Sequence, residues 1–403
     1  MPVSARSEQR PPLLLIAYSA RALAAAAAPA WQPWVIDVFA DRDTRALATR
    51  CVQLETAGDL SISARALDAA LDMCLRDTRE RVPVVIGSGF EEAPALLDRV
   101  TARADLLGCG RNVFARLLDM PAVLAVLRAT GNVTVPTTSS TYPALPDAWL
   151  QKTSGRCGGF HVRPATAAAA TERGTYYQTF VAGPSCSALF VASSTTTRLC
   201  GMARHLAHRP GIGPGLHYQG AVALPTIPEQ RCATLEQIGQ AVARELDLRG
   251  GFGLDFILHD DREIVVVDIN PRLTATLDLY SDRAEIFSAH VAACRDDRLL
   301  YSRPASRPVR GHVIVYAPID WDVPEHVDWP AGAADLPSPG TQVAAGTPVV
   351  SLVAEGTNPI AVKERLARSA EQLLRLMGAP SVAFEVITLG GNTDVSARAR
   401  HCL

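Results

Sequence analysis

Two carboxylates thirteen residues apart, Asp255 and Asp268, lie in the segment GLDFILHDDREIVVVDINPRLT, residues 253–274. Apolar runs at 254–258 and 264–269 flank a polar turn at 259–262, the pattern of a β-hairpin. With the turn centred between Asp261 and Arg262, Asp255 stands directly opposite Asp268, and Asn270, two residues on, projects from the same face. Opposed Cβ atoms in a ladder sit about 5 Å apart, and like charges there repel. A shared cation relieves that repulsion, and two carboxylates with an amide carbonyl are hard oxygen donors suited to Mg²⁺. Pro271 ends the strand and sets Arg272 beside the same place. A divalent cation next to a fixed guanidinium makes a phosphate site. The competing reading is an ordinary exposed acidic hairpin, against which the Asn270-Pro271-Arg272 run counts.

A second constellation lies about a hundred residues earlier. Trp149 to Lys152 reads as a strand, and TSGRCGGFHV, residues 153–162, follows it with Gly155, Gly158 and Gly159. A strand, a glycine-rich loop and a second strand let backbone N–H groups approach phosphate oxygens, with the strand lysine as a point charge. No Gly-Lys-Ser/Thr opens a helix here, so this is not a P-loop. Taken alone, a glycine hairpin turn has the same appearance.

These residues must be held by a sizeable scaffold. The chain has 403 residues, long for one core, so two or three domains are expected. The formal net charge is −2 with no basic block, which argues against nucleic acid as a main partner. No apolar run approaches the ~20 residues that cross a membrane, and the short run at 13–16 is not a signal peptide. Nine cysteines without CxxC spacing read as reduced thiols, hence a cytoplasmic protein with neither a disulfide frame nor a zinc site.

From the N-terminus, residues 12–18 (PLLLIAY) form a continuous apolar run typical of a buried parallel strand. Ser19 is the expected cap of an Ala-rich helix from Arg21 to Ala28. Strands at 34–39, 83–86 and 106–108 and helices at 63–76 and 91–100 complete a small doubly wound parallel sheet. Ser19 and Arg21, at the end of the first strand, are candidate anion contacts, or simply a cap and an exposed arginine. Residues 111–128 read as two short helices broken at Pro121, and 134–142 as a linker. YYQTFVAG, residues 176–183, is β-rich. GIGPGLHYQG, residues 211–220, is a loop in which His217 and Tyr218 are candidate substrate contacts. Residues 235–246 are the helix that feeds the hairpin.

The hairpin resembles the metal-binding hairpin of the ATP-grasp superfamily: an acid, thirteen residues on another acid, then Asn-Pro-Arg. Most members carry Glu where this chain has Asp268. The resemblance covers roughly residues 12–300 and is most specific at 253–274 and the glycine loop. It implies an α/β fold with an N-terminal doubly wound (pre-ATP-grasp) domain at 1–108, a helical linker at 109–148 and a lid at 149–183. A catalytic α+β base at 184–310 and a small C-terminal appendage at 311–403 follow. It implies ATP and Mg²⁺, with Mn²⁺ able to substitute. Asp255, Asp268 and Asn270 would hold the metal, and Lys152 the α and β phosphates. Gly155, Gly158 and Gly159 would cover the β and γ phosphates, and Gln178, Phe180 and Val181 would take the adenine. Arg272 and Lys152 would stabilise the transferring phosphoryl group. His161 is a candidate phosphate or substrate contact, or a structural histidine. The Asp-Lys that many members place at the second linker helix is Asp119-Met120 here, with Arg116 the nearest substitute. The implied reaction joins a small carboxylate to an amine through an acyl phosphate, releasing ADP; the implied assembly is a homodimer. Within the superfamily, SARALA (19–24), DVFADRDTR (37–45) and the hairpin resemble predicted carboligases of methanopterin- and methylofuran-type C1-carrier biosynthesis in methylotrophs, with glutamate as a partner amine. Bicarbonate activation, or ATP binding without turnover, are the alternatives.

Overall fold

A computed structural model describes residues 10–57, 60–144, 148–166, 173–206, 216–259 and 263–378. The expectations for the extreme N-terminus, for the first half of the 211–220 loop and for the tip of the hairpin fall outside those residues. The N-terminal strands are β1 (Pro12–Ala17), β2 (Gln32–Asp37), β3 (Arg50–Gln53), β4 (Pro83–Ile86) and β5 (Asp105–Leu106). They form a parallel sheet in the order β3-β2-β1-β4-β5. Helices α1 (Arg21–Ala27), α2 (Arg42–Leu47), α3 (Ala64–Cys74) and α4 (Leu96–Arg103) connect them. Leu13 to Ile16 are fully buried, as a strand covered on both faces requires.

Two local expectations change here. Ser19 does not cap α1: the Ala20 N–H donates to Asp37 Oδ2 at 2.6 Å, and Ser19 Oγ donates to Asp335 instead. The expected helix at 91–100 begins only at Leu96, because Pro94 has no N–H to give and restricts the residue before it. Residues 87–92 are thereby released as a loop at the carboxyl end of the sheet.

Helices α5 (Arg111–Leu117) and α6 (Met120–Ala129) follow, with Asp119 capping α6 through Ala122 N–H. The chain then enters a four-stranded antiparallel sheet of β6 (Thr138–Ser139), β7 (Trp149–Thr153), β8 (Arg163–Pro164) and β9 (Thr175–Thr179), ordered β6-β9-β7-β8. The expected linker at 134–142 therefore contributes a strand to this sheet.

The base is built from β10 (Ser185–Ala192), β11 (Thr197–His205), β12 (Gly220–Ala223), helix α7 (Glu229–Leu246), the hairpin β13 (Gly250–His259) and β14 (Glu263–Asn270), and helix α8 (Arg283–Asp296). The C-terminal segment adds β15 (Val309–Tyr316), β16 (Trp321–Asp322), β17 (Ala333–Ala334), β18 (Gln342–Val343), β19 (Pro348–Gly356) and α9 (Pro359–Leu376). Strands β15, β17 and β19 continue the sheet of the base, in the order β14-β13-β10-β11-β12-β15-β19-β17, so the tail shares one sheet with the hairpin. Its own core lies between that sheet and α9, around Leu352, Val362 and Leu373.

Arg21 ties three parts of the chain together. Its guanidinium donates to Asp335 Oδ1 at 2.9 Å and Asp278 Oδ2 at 2.7 Å, with Asp43 at 3.7 Å. Asp43 in turn accepts from the backbone N–H groups of Asp335 and Leu336. The same cluster contains Asp41, 8% exposed, whose carboxylate makes no hydrogen bond or ion pair among the described residues. Burial, with Asp335, Asp37 and Asp43 nearby, pushes its carboxyl up to about 8. The folded state thus holds that proton to higher pH than an unfolded Asp near 4, and the cost of ionising it grows as pH rises between those values. Asp41→Asn is expected to raise the melting temperature by an increment that widens from about pH 5 to about pH 8. A difference that stays flat in paired thermal melts across that range contradicts the burial argument.

Candidate active site

The hairpin puts its acids where the alternation predicts, but by a different route. Phe256 faces Val266 and Leu258 faces Ile264, whereas Asp255 faces Asp268 and Gly253 faces Asn270. Val267 is therefore the extra residue of a β-bulge. Without it, strict alternation from Ile264 and Val266, both in the core, would turn Asp268 and Asn270 inward. The bulge changes the phase, so that Ile269 fills the core and Asp268 and Asn270 share the open face with Asp255.

The bulge also exposes a main-chain acceptor. Lys152 Nζ, on β7, donates to the Val267 carbonyl at 3.1 Å and to Gln178 Oε1 at 3.4 Å. Lysine 152 is only 6% exposed. Burial disfavours its charge, yet Tyr176, Asp268 and Asp255 outweigh that and raise its pKa above the ordinary lysine value. Burial pushes the carboxyls of Asp255 and Asp268 each up to about 6, against the pull of Lys152 and Arg272. The donor set suits a divalent cation. Two facing carboxylates are held in a site where two protein cations do not restore their ordinary acidity, and the Asn270 amide adjoins them, its Nδ2 3.4 Å from Asp255 Oδ2. Among the described residues no group of three or more His, Cys, Asp and Glu offers a metal site of another kind.

Arg272 is nearly enclosed, and its Nε donates to Glu91 Oε1 on the loop after β4. Its Nη2 donates to Asn270 Oδ1 at 3.2 Å. Glu91 is a site residue that the sequence reading placed on a helix and did not single out. The next residue, Glu92, pairs with Arg156 of the glycine loop at 3.1 Å. Gly155 explains why the loop can lie there. Its φ is +78°, and a Cβ would come within 2.9 Å of the Glu91 carbonyl and 3.0 Å of Glu92 Cα. Gly159 is pressed likewise against the Leu216 carbonyl, and the Gly158 carbonyl accepts from Tyr218 N–H at 2.8 Å. These glycines serve packing of the loop against its neighbours as well as any approach to phosphate.

The remaining candidates divide. Gln178, 3% exposed, turns to Lys152, while Phe180 and Val181 follow β9 half-buried, Phe180 N–H donating to Ala148. Burial, with Lys152 and Arg156 nearby, pushes the His161 imidazole down to about 3. His217 is buried edge-on against Phe160, and the Tyr218 hydroxyl shares a 2.7 Å hydrogen bond with His312. Tyr218 also meets His205 edge to face, and His205 lies 3.9 Å from Asp255 while sharing a 3.0 Å hydrogen bond with Ser185. This His205–Tyr218–His312 cluster borders the hairpin, and of its members the sequence singles out Tyr218 alone. Ser19 and Arg21 are engaged with Asp335 and Asp278 and are not gathered with the hairpin residues. Arg116 does not replace the missing lysine at Met120, since it binds the Glu245 carbonyl and side chain at the end of α7.

Residues 122–276 match the family model described as an ATP-grasp domain. Among curated proteins, none matches the sequence. Solved structures with the same fold include the biotin carboxylase domain of Hydrogenobacter thermophilus 2-oxoglutarate carboxylase, in complex with MgADP, ADP and bicarbonate. It has a TM-score of 0.67 at 12% identity, over 91% of this chain and 93% of that one. The L-amino acid ligase from Bacillus licheniformis gives 0.63 at 11% identity, over 91% and 98%. N5-carboxyaminoimidazole ribonucleotide synthetase from Thermus thermophilus gives 0.63 at 18% identity, over 93% and 100%. Residues 122–276 thus carry an ATP-grasp domain, and most of the chain shares the fold of these structures. No helix among the described residues is long and apolar enough to cross a membrane.

Proposed function

We propose that this protein is an ATP-dependent carboxylate–amine ligase. The observation that carries the reading is the convergence on one hairpin of Asp255, Asp268 and Asn270 with two buried cations, Lys152 from the lid and Arg272. Phosphoryl transfer asks a protein for little beyond positioning and neutralised charge, and this arrangement supplies both. In the proposed reaction a carboxylate oxygen attacks the γ-phosphorus of ATP and ADP departs. An amine nitrogen then displaces phosphate from the acyl carbon and loses a proton, leaving an amide. Asp255, Asp268 and Asn270 would hold Mg²⁺ or Mn²⁺, which neutralises phosphate charge when bound. Lys152 presents its ammonium beside them, and Arg272 presents the guanidinium edge not used by Glu91. The likeness to an amino acid ligase supports the amide-forming reading. The segments at 19–24, 37–45 and 253–272 support a finer one, addition of an amino acid such as glutamate to a C1-carrier precursor.

The test is ADP release with Mg-ATP and pooled small carboxylates, with hydroxylamine present to trap an acyl phosphate. A hydroxamate is expected, and its mass identifies the acid. ADP release that needs only bicarbonate would instead favour carboxyphosphate chemistry, as the bicarbonate-bound relative suggests. Nucleotide binding with no ADP formed from any pool would overturn both.

A further inference from the structure

We infer that Glu91, on the loop between β4 and α4, is the positioning residue of this site, setting the Arg272 guanidinium against the hairpin. The inference rests on the phosphoryl-transfer reading above. An arginine side chain has many rotamers to lose, so one that must meet a developing charge works best if it is fixed beforehand. Proline 271 fixes the backbone before Arg272, but the long side chain still needs a partner. Glu91 supplies it, and is itself fixed: Oε1 accepts from Arg272 Nε, while Oε2 accepts from the backbone N–H groups of Gly89 at 2.8 Å and Phe90 at 3.0 Å. Both side chains are nearly enclosed, 9% and 12% exposed, so the pair is little screened by water. Arg272 then passes the constraint on through Nη2 to Asn270 Oδ1. The same loop carries Glu92, which holds Arg156, and meets Gly155 across backbone contacts. One short segment of the N-terminal sheet thus sets the guanidinium on one side and the glycine loop on the other.

A salt bridge that merely joins two lobes would also appear as Glu91–Arg272, so the test must separate the roles. Glu91→Gln is expected to lower kcat by about tenfold or more while leaving the KM for ATP within about twofold. In an Arg272→Lys background, which has no fork to orient, the same change should have almost no further effect on kcat. A turnover-free version measures affinity for Mg-ADP with aluminium fluoride, a mimic of the transferring phosphoryl group, against Mg-ADP alone. Glu91→Gln should weaken only the former, and not additively with Arg272→Lys. This version decides the role of Glu91 even if no acid substrate yields ADP, an outcome that would count against the ligase reading alone. Equal losses in both backgrounds, or equal losses for both ligands, mean a structural bridge and overturn the inference. If Glu91→Gln is too unstable to assay, Glu91→Asp carries the same cycle, because its shorter reach breaks the contact with Arg272 while keeping the charge.

Discussion

Asp268→Asn is expected to remove ADP-forming turnover by on the order of 10²–10³-fold and, in the absence of metal, to make the protein more stable at neutral pH. The two effects have one cause. Asp268 faces Asp255 across the ladder, and burial, together with that neighbouring charge, pushes its carboxyl up to about 6. A carboxylate whose folded pKa lies above the ordinary value near 4 costs stability as pH rises through that interval, and the full cost stands above the folded value. At pH 7.5 the asparagine variant avoids a penalty on the order of 2 kcal/mol, and the difference should close as pH falls towards 4. Mg²⁺ should reverse the order, stabilising the wild type more than the variant. Thermal melts with and without Mg²⁺, beside an ADP assay, check both signs. A variant that loses activity and stability together would mean that Asp268 is there for packing, not for a cation.

Lys152→Met is the second large effect. The ammonium is enclosed, bonded to Val267 and Gln178, and its charge opposes the upward shift of both carboxylates. Its loss should raise the KM for ATP by at least about tenfold and lower kcat by on the order of 10²-fold, since both bound phosphate and the developing charge lose it. Lys152→Arg should not restore either quantity. A planar guanidinium does not fit a position only 6% exposed and shaped for a point charge. Steady-state kinetics on the two variants decide this, and an arginine variant with near-normal constants would place Lys152 outside the phosphate site.

The sequence made the opposed pair Asp255 and Asp268 readable because a strand's period of two is a local property. It did not reveal the bulge at Val267: three successive valines offer no chemical mark of which one is extra, and the outer half of the hairpin pairs one residue away from the simple register. The N-terminal parallel sheet was legible from its apolar runs, although the short α2 and β3 carried too little pattern to stand out. Glu91 was missed for two reasons. Its partner is 181 residues away, and the expected helix across it ignored Pro94, the one local signal that would have kept the residue in a loop. Ser19 has a residue type favoured at helix caps. The preference lost to Asp37, whose two oxygens accept three backbone N–H groups, from Ala20, Phe39 and Ala40. The His205–Tyr218–His312 cluster draws one residue from each of three segments, and periodicity carries no information of that range.

The valine run at 265–267 bears on the order in which the molecule assembles. Three identical side chains cannot tell the strand which of them to leave unpaired, so the choice is made from outside the hairpin. Val266 N–H donates to the Thr134 carbonyl, and the Val267 carbonyl receives Lys152. Both pins come from more than a hundred residues upstream, and such distant contacts close late for reasons of chain entropy. The hairpin can therefore zip early as an apolar ribbon with its acids in either phase. Its two carboxylates come to face each other for good only when the lid strand docks, so competence for catalysis is among the last properties the folding chain acquires.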